Sequence, residues 1–384
     1  MNNPTTVDGL IEAARQNAGL TDFGDEWFRP HIQVLLDSWV NEADLSPEGH
    51  DTQLGRVVEI LANRLRLEQY LKDYPEILEL EIRGPIIIIG LPRTGTTTLH
   101  RMLSASGDFQ FLPFWQTWQP IPMEGVESED GRDPRIRSAE IYAEMLEENS
   151  AELARIHEVA AHEPEEDVML MQHSFLHKQG FVDANIPGFI QWVDQQDLTP
   201  VYEELKIWLQ FLQWQNGGEA RPWLLKAVYH NEFLDTLLEV FPDAVLFHCH
   251  REPEAVIGSW SNLSYQFRTV YSDKVEKSLI GPAWVDYWSD NMNRYMAIRE
   301  RLPEGRIKDV YFKEICDDIE QVIAGMYESA DVTLSEKSLE NMRSWEADHP
   351  RDKHGEHEYS IYDYGLESEM IDSAFASYRE RFRI

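Results

Sequence analysis

Cysteine is scarce in this chain of 384 residues, which contains only Cys249 and Cys316. Two cysteines cannot build a disulfide framework, and their spacing matches no metal-binding pattern, so we expect a reducing compartment. The N-terminus lacks a basic segment followed by an apolar one, and no apolar run approaches ~18 residues. From these signals we expect a cytoplasmic protein that is neither exported nor membrane-spanning.

Basic side chains are also scarce, since 34 lysines and arginines stand against 69 acidic residues and the net charge is −35. Such a chain repels nucleic acids and anionic membranes at long range, which argues against both as partners. A saline habitat is another explanation of the acidity. Any place where cations gather near glycines therefore stands out as a candidate anion site.

Internal repeats and low-complexity segments are absent as well, and a hydrophobic content of 42% is enough for a sizeable core. Apolar residues recur at three- and four-residue spacing in segments 7–17, 27–42 and 51–74, which predicts three helices. We predict that residues 1–80 form a helical N-terminal extension without chemistry of its own, packed on a sheet or in an oligomer contact. Residues 81–384 are predicted to form one α/β domain.

A strand, a glycine-containing loop and a helix follow one another in residues 84–103. Four consecutive isoleucines at positions 86–89 predict a strand that is buried on both faces of a parallel sheet. Gly90 ends this strand, and Gly95 gives a tight loop the freedom it needs. This arrangement aims backbone N–H groups and a helix dipole at a phosphate, although an ordinary strand–turn–helix is the alternative.

The loop departs from that of nucleotide triphosphatases in an informative way. Their loop reads G-x-x-x-x-G-K-[ST], with the lysine on the phosphates and the hydroxyl on magnesium. Gly90 and Gly95 have the same spacing, but Thr96 stands where the lysine belongs, and a cation lies inside the loop as Arg93. The sequence therefore predicts a phosphate site without the usual lysine and magnesium.

Residues 92–97, Pro-Arg-Thr-Gly-Thr-Thr, resemble the 5′-phosphosulfate loop of sulfotransferases that use 3′-phosphoadenosine 5′-phosphosulfate. Cytosolic members of that family carry Lys-Ser-Gly-Thr-Thr at this place, and tyrosylprotein sulfotransferases carry Pro-Arg-Ser-Gly-Thr-Thr. The resemblance implies that the 5′-phosphosulfate is bound by Arg93, Thr94, Gly95, Thr96, Thr97 and Thr98.

A second motif follows another predicted strand, at residues 244–249. Sulfotransferases have at this place an arginine, a proline two residues later and a serine eight residues after the arginine. Arg251, Pro253 and Ser259 match this spacing, and the resemblance implies that Arg251 and Ser259 hold the 3′-phosphate of the co-substrate. An arginine suits this role because its planar fork donates two parallel hydrogen bonds.

Residues 222–226 fit a further parallel strand, which ends in Lys226. Ligands of open α/β sheets bind beyond the carboxyl ends of the strands, where the phosphosulfate loop is also expected. A lysine that ends a buried strand needs a partner there, and a phosphosulfate is a suitable one. We therefore predict that Lys226, together with Arg93, stabilises charge on the leaving phosphate.

The segment His162-Glu-Pro-Glu-Glu-Asp167 is the candidate source of a general base. His162 or a carboxylate such as that of Glu166 is predicted to take the proton of the acceptor, with His230 as a further possibility. A predicted helix over residues 165–177 offers a simpler explanation, because acidic residues are favoured in the first turn of a helix.

Apolar and aromatic residues provide candidate walls of an acceptor pocket. Residues 109–122 are aromatic and proline-rich, which argues against a regular helix, whereas residues 135–158 are predicted to form one long helix. Either an acceptor pocket or the core accounts for Met169, Met171, Phe175, Phe181, Phe189 and Trp192. The many aromatic residues and the net charge of −35 favour a hydrophobic alcohol, phenol or amine over a polyanionic sugar chain.

Basic residues gather in the C-terminal segment 348–359. Cytosolic sulfotransferases close over the 3′-phosphate with a basic, glycine-bearing segment near the C-terminus. This positional resemblance implies that Arg351 and Lys353 contribute to the co-substrate site, while a solvated loop is the alternative.

The resemblance extends over residues 84–384 and implies an α/β fold with a parallel sheet of the P-loop nucleotide-kinase type, wrapped by helices. It also implies in-line transfer of a sulfuryl group from 3′-phosphoadenosine 5′-phosphosulfate to a small-molecule acceptor, without a metal. A small-molecule kinase and a non-catalytic nucleotide-binding protein are the alternatives. The kinase would use ATP and magnesium, and the missing lysine argues against it.

Overall fold

The computed structural model of the chain describes residues 3–123, 125–126, 131–349 and 360–384. Its sheet has four strands, β1 (Ile86–Gly90), β2 (Leu224–Lys226), β3 (Val245–His250) and β4 (Ile307–Tyr311). The strands are all parallel and lie in the order β2-β1-β3-β4. Every residue of β1 and of the edge strand β2 is buried, as expected of strands covered on both faces. The predicted fold class is confirmed.

Three helices precede the sheet, α1 (Val7–Ala18), α2 (Arg29–Asn41) and α3 (Pro47–Asp73). Helix α3 begins where Ser46 accepts a hydrogen bond from the backbone N–H of Gly49, with Pro47 at the first helical position. All three helices match the segments predicted from apolar spacing.

Further helices lie between β1 and β3 in the chain. They are α4 (Thr96–Ala105), α5 (Phe114–Trp118), α6 (Pro134–Asn149), α7 (Ala151–Ile156), α8 (Val168–Met171), α9 (Gly180–Asp183), α10 (Pro187–Val193), α11 (Thr199–Gln215) and α12 (Leu234–Val240). Short 3₁₀ helices occupy Pro75–Glu79, Gln172–Ser174 and Val228–Phe233.

The helices after β3 complete the wrapping of the sheet. They are α13 (Pro253–Tyr271), α14 (Lys277–Arg299), α15 (Phe312–Asp317), α16 (Ile319–Ser329), α17 (Glu336–Asp348), α18 (Ser368–Ala374) and α19 (Ala376–Phe382), with a 3₁₀ turn at Ile361–Tyr364. Within the described ranges, no helix combines the length and the apolar character that crossing a bilayer requires.

Two predicted helices are broken in the structure. Residues 135–158 form α6 and α7 instead of one helix, because Ser150 leaves the helical conformation and its hydroxyl caps α7 at the N–H of Leu153. The predicted helix over 165–177 is only the short α8 and one 3₁₀ turn, which Phe175 ends in the left-handed conformation with φ of 55°.

The stretch 109–122 was expected to lack a helix, and this expectation is wrong for five residues. Helix α5 lies between Pro113 and Pro120, so neither proline falls within a helical turn that needs its N–H. Prolines on both sides therefore limit the length of this helix without preventing it.

The N-terminal helices share a hydrophobic core with the sheet. Leu61 and Leu65 of α3 belong to the same buried cluster as Ile87 and Ile89 of β1. The boundary at residue 80 between an extension and a catalytic domain stays a prediction.

Candidate active site

The loop after β1 combines three residues with positive φ, Gly90 at 140°, Arg93 at 64° and Gly95 at 89°. At Gly95 the φ of 89° is a conformation that side chains of L-residues rarely adopt, so the turn favours glycine. Arg93 has no such freedom, and its left-handed backbone costs about 1–2 kcal/mol. Strain of this kind at a non-glycine residue is typical of functional loops.

Three predicted binding residues from two distant motifs meet at this loop. Arg251 follows β3, and its Nη1 donates a hydrogen bond to the backbone oxygen of Arg93 at 2.7 Å. The Nε of Arg93 in turn donates to Ser259 Oγ at 3.0 Å. The Arg251 guanidinium also lies over the ring of Phe312, 4.0 Å from its centroid. These contacts hold two guanidinium groups at the carboxyl ends of β1 and β3.

The threonines of the loop take two different positions. Thr96, Thr97 and Thr98 begin α4 and line a cavity at its N-terminus, where backbone N–H groups have no helical partner. Thr94 is fully buried, and its hydroxyl donates to the backbone oxygen of Leu91 at 2.7 Å. The side chain of Thr94 therefore shapes the loop from within.

Two of the predicted catalytic residues form an ion pair. The Nζ of Lys226 donates to Glu166 Oε1 at 2.5 Å, and both residues line the cavity beside the loop. The side chain of Lys226 is 8% exposed and that of Glu166 is 20% exposed. The partner of Lys226 in the structure is thus Glu166, whereas the sequence analysis expected a phosphosulfate as its partner.

The other candidate bases lie elsewhere. His162 is exposed and does not line the cavity. His230 is fully buried, where its Nε2 is hydrogen-bonded to Asp167 Oδ2 at 3.1 Å and the hydroxyl of Tyr202 lies 2.9 Å from its Nδ1. The ring donates one hydrogen bond to Asp167 and accepts one from Tyr202, so both of its nitrogens are satisfied. This histidine therefore belongs to a buried structural network.

The cavity is lined by two histidines that the sequence analysis did not single out, His157 and the buried His173. His157 follows α7, its ring lies 5.6 Å from that of Phe267, and it lines the same wall region as Arg101 and Glu158. Burial, opposed by the Glu166 carboxylate, lowers the pKa of His157 to about 4. The ring is therefore neutral near pH 7 and can accept a proton. No motif surrounds it that could have identified it in the sequence.

The cavity is open and has a volume of about 1610 Å³, more than the ~300–1,000 Å³ usual for a small-molecule site. One end is formed by the loop, Lys226 and Arg251. The remainder extends between apolar residues such as Trp118 and Ile121 and the helix α3, whose Arg56 and Ile60 line it. The segment that was expected to carry no chemistry thus forms part of the wall.

Most of the predicted pocket residues belong to the core instead. Of the six that were named, Met169 lines the cavity. The other five are not among its lining residues, and they are Met171, Phe175, Phe181, Phe189 and Trp192. All of them are buried except Trp192, which is half-buried. Alternation of buried and pocket-facing positions in short helices explains why apolar character alone could not separate the two groups.

Two predictions concern features that the structure does not test. Arg351 and Lys353 lie outside the described residues. The absence of a metal also stays a prediction, because His248, His250 and Asp309 place possible ligand atoms within 4.8 Å of one another, outside the cavity. Arg299 already binds the carboxylate of Asp309, which competes with a cation there.

Comparison with known proteins identifies what this arrangement is similar to. The model of the sulfotransferase family matches residues 85–336, more than half of the chain. Omega-hydroxy-beta-dihydromenaquinone-9 sulfotransferase Stf3 of Mycobacterium bovis is 23% identical over 279 residues, which are 69% of this chain and 67% of that protein.

Two solved structures are similar over nearly the whole chain. Sulfotransferase STF9 from Mycobacterium avium is 28% identical with a TM-score of 0.89, covering 100% of this chain and 98% of that one. Sulfotransferase STF1 from Mycobacterium tuberculosis H37Rv is 30% identical with a TM-score of 0.85, covering 98% of this chain and 100% of that one. The resemblance inferred from the two motifs is confirmed.

Proposed function

Because the chain belongs to the sulfotransferase family, we propose that it transfers a sulfuryl group from 3′-phosphoadenosine 5′-phosphosulfate to a hydroxyl of a hydrophobic small molecule. The observation that carries this proposal is the contact of Arg251 with Arg93 and of Arg93 with Ser259. It joins the residues implied for the 3′-phosphate to the residues implied for the 5′-phosphosulfate.

The side chains at this end of the cavity fit the co-substrate. Arg93, the N–H groups at the start of α4 and Lys226 offer donors for the 5′-phosphosulfate. Arg251 and Ser259 offer a guanidinium and a hydroxyl for the 3′-phosphate, which ATP lacks. These donors form a cationic region within a chain whose net charge is −35, so an anionic ligand is favoured here and repelled elsewhere.

The residues of the chain divide the chemistry of transfer between them. The acceptor oxygen forms a bond to sulfur while the bond from sulfur to the 5′-phosphate oxygen breaks. Lys226 and Arg93 stabilise the negative charge that develops on that phosphate oxygen. Glu166, next to Lys226 in the cavity, accepts the proton of the acceptor hydroxyl. The neutral ring of His157 is the second candidate for this role.

The shape of the cavity supports a hydrophobic acceptor. Its lining includes apolar and aromatic side chains, among them Trp118, Ile121 and Tyr142, beside polar ones such as Asn63. The relative Stf3 is named for a menaquinone-derived alcohol, which is also hydrophobic. We therefore propose an apolar alcohol as the acceptor class, with phenols and amines as related candidates.

A thermal-shift titration tests the co-substrate. We expect 3′-phosphoadenosine 5′-phosphate to raise the melting temperature of the wild type, and ATP with magnesium to have little effect. Arg251→Ala should lose this stabilisation. Arg301→Ala provides the matched control, because Arg301 is 64% exposed and pairs with Asp235 at the surface. Stabilisation by ATP and magnesium alone would favour the kinase instead. Binding without turnover of any alcohol would favour a nucleotide-binding protein.

A further inference from the structure

An ion pair that the proposed chemistry does not use lines the cavity beyond the phosphate loop. Arg56 of α3 donates from its Nη1 to Asp183 Oδ2 of α9 at 3.2 Å, and both residues are part of the cavity wall. Their side chains are 33% and 11% exposed, so the pair is largely withdrawn from solvent while part of each side chain stays open. The Nη2 of Arg56 donates to Gln172 Oε1, which fixes the guanidinium from a second side.

The carboxylate of Asp183 keeps one oxygen available. Arg56 binds Oδ2, whereas Oδ1 has no hydrogen-bond partner in the part of the chain that the structure describes. Unlike the unpartnered polar atoms that are sealed in the interior, this oxygen is accessible from the cavity. A carboxylate withdrawn from water is stable only when its lone pairs are satisfied. A ligand that donates a hydrogen bond to Oδ1 would complete the site.

Two tyrosines stand beside this ion pair. Tyr142 of α6 and Tyr271, the last residue of α13, are half-buried and line the same cavity. Burial raises the pKa of each phenol, and the charges of Asp183 and Arg56 act on both. The phenols are therefore protonated near pH 7 and can donate to or accept from a ligand oxygen. Side chains from four helices thus converge on one polar place in the cavity wall.

The ion pair and the residues proposed for catalysis are within reach of one acceptor molecule. Burial, followed by the carboxylates of Glu166 and Asp183, raises the pKa of Tyr229, which also lines the cavity. Two carboxylates affect the same phenol only if both lie near it, because Coulomb interactions weaken with distance. The cavity volume of about 1610 Å³ leaves room for an acceptor that extends from Glu166 to Asp183.

We propose that Asp183, oriented by Arg56, accepts a hydrogen bond from a second hydroxyl of the acceptor. This inference rests on the proposed function and specifies its substrate class as an apolar diol, with one hydroxyl at Glu166 for transfer and the other at Asp183. The charges of Arg56 and Asp183 cancel, so an uncharged hydroxyl is favoured over a carboxylate or an ammonium group. A methyl group at the same place leaves Oδ1 without a partner, which disfavours a plain alcohol.

Matched pairs of alcohols test this subsite. Each pair contains an α,ω-diol, from 1,6-hexanediol to 1,12-dodecanediol, and the n-alkanol in which a methyl group replaces one hydroxyl. Calorimetry measures both affinities for the protein saturated with 3′-phosphoadenosine 5′-phosphate. At one chain length or more, the ratio of diol to alkanol affinity should be at least about tenfold higher in the wild type than in Arg56→Met/Asp183→Leu. Comparing the ratios of two proteins cancels the different hydration of the two alcohols.

The variants are chosen to separate recognition from damage to the fold. The double variant removes both charges and leaves neither unpaired. Asp183→Asn keeps the shape of the side chain with a neutral acceptor, so its ratio should lie between those of the wild type and the double variant. Asp235→Asn is the matched control and should retain the wild-type ratio, because Asp235 also pairs with an arginine at 3.2 Å but is 59% exposed. An equal ratio in the wild type and the double variant at every length overturns the subsite, as does a wild type that binds no diol.

The nucleotide response separates this inference from the proposed function. If 3′-phosphoadenosine 5′-phosphate stabilises the wild type and the double variant equally, the variant is folded and the ratio of affinities judges the subsite alone. If it stabilises the wild type and Asp183→Asn but not the double variant, the ratio of the single variant decides, and an unchanged ratio overturns the subsite. If the nucleotide stabilises none of the proteins, the proposed function fails and the subsite fails with it.

Discussion

Replacing Lys226 by methionine should damage stability and turnover through separate causes. The substitution leaves Glu166 without the cation that lies 2.5 Å away. Removing one partner of a fully buried pair costs about 3–5 kcal/mol, because the other charge stays desolvated. Glu166 is 20% exposed to an open cavity, so we expect a smaller loss of about 2 kcal/mol in the free energy of unfolding.

The double variant Lys226→Met/Glu166→Gln distinguishes these two effects. It removes both charges, so the free energy of unfolding should return to within about 1 kcal/mol of the wild type. Turnover should stay at least about 10²–10³-fold below the wild type, because both the charge that stabilises the leaving phosphate and the proposed proton acceptor are missing. Chemical denaturation and a sulfation assay measure the two quantities on the same protein.

An exposed pair provides the control for this design. Lys313 and Asp317 form an ion pair on α15 with exposed fractions of 84% and 61%. Lys313→Met should change the free energy of unfolding by less than about 1 kcal/mol and leave turnover unchanged. Turnover of Lys226→Met within tenfold of the wild type would refute the catalytic role of this lysine. A double variant as unstable as the single one would refute the account of the buried charge.

Two further predictions concern the loop and the response to acid. Arg93→Ala should lower turnover by about 10²–10³-fold while the circular dichroism spectrum is unchanged, and wild-type turnover would exclude the assigned role. His100 is 2% exposed, and burial lowers its pKa from 6.5 to about 3, so the folded state excludes a proton that the unfolded chain binds. The stabilisation that the neutral, buried ring provides is complete above pH 6.5 and decreases toward pH 3. Between pH 7 and pH 5 the free energy of unfolding should fall by about 2 kcal/mol. Urea denaturation at both pH values should show a smaller loss for His100→Gln, and an unchanged loss would contradict this assignment.

The strands and the phosphate loop could be predicted because their signals are local. A run of four isoleucines and the run at 244–249 each contain the information for a buried strand. The order of glycines in the loop reflects backbone angles that few other residues adopt. Arg251 and Ser259 could be predicted as well, because they stand at a fixed spacing after the predicted strand at 244–249.

Contacts between distant segments could not be predicted in the same way. Lys226 and Glu166 are separated by 60 positions, and each had a plausible local role without the other. His157 lines the cavity because the chain that follows α7 passes along it, and the structure is needed to show this. The helix breaks at Ser150 and Phe175 depend on single residues within otherwise helical patterns. Tertiary packing determined the positions of Lys226, Glu166 and His157, whereas the two helix breaks are local.

The C-terminal helix shows why the support of a site is hidden from a motif search. Tyr378 of α19 donates a hydrogen bond to His250 Nδ1 at 2.9 Å, and the Nε of Arg379 donates to Glu252 Oε1 at 2.9 Å. Consecutive residues of α19 therefore hold both neighbours of Arg251. A segment fixed in this way is ordered before the nucleotide arrives, so that binding does not have to meet the entropic cost of ordering it. Because α19 acts through other residues, its own sequence carries no signal of this role.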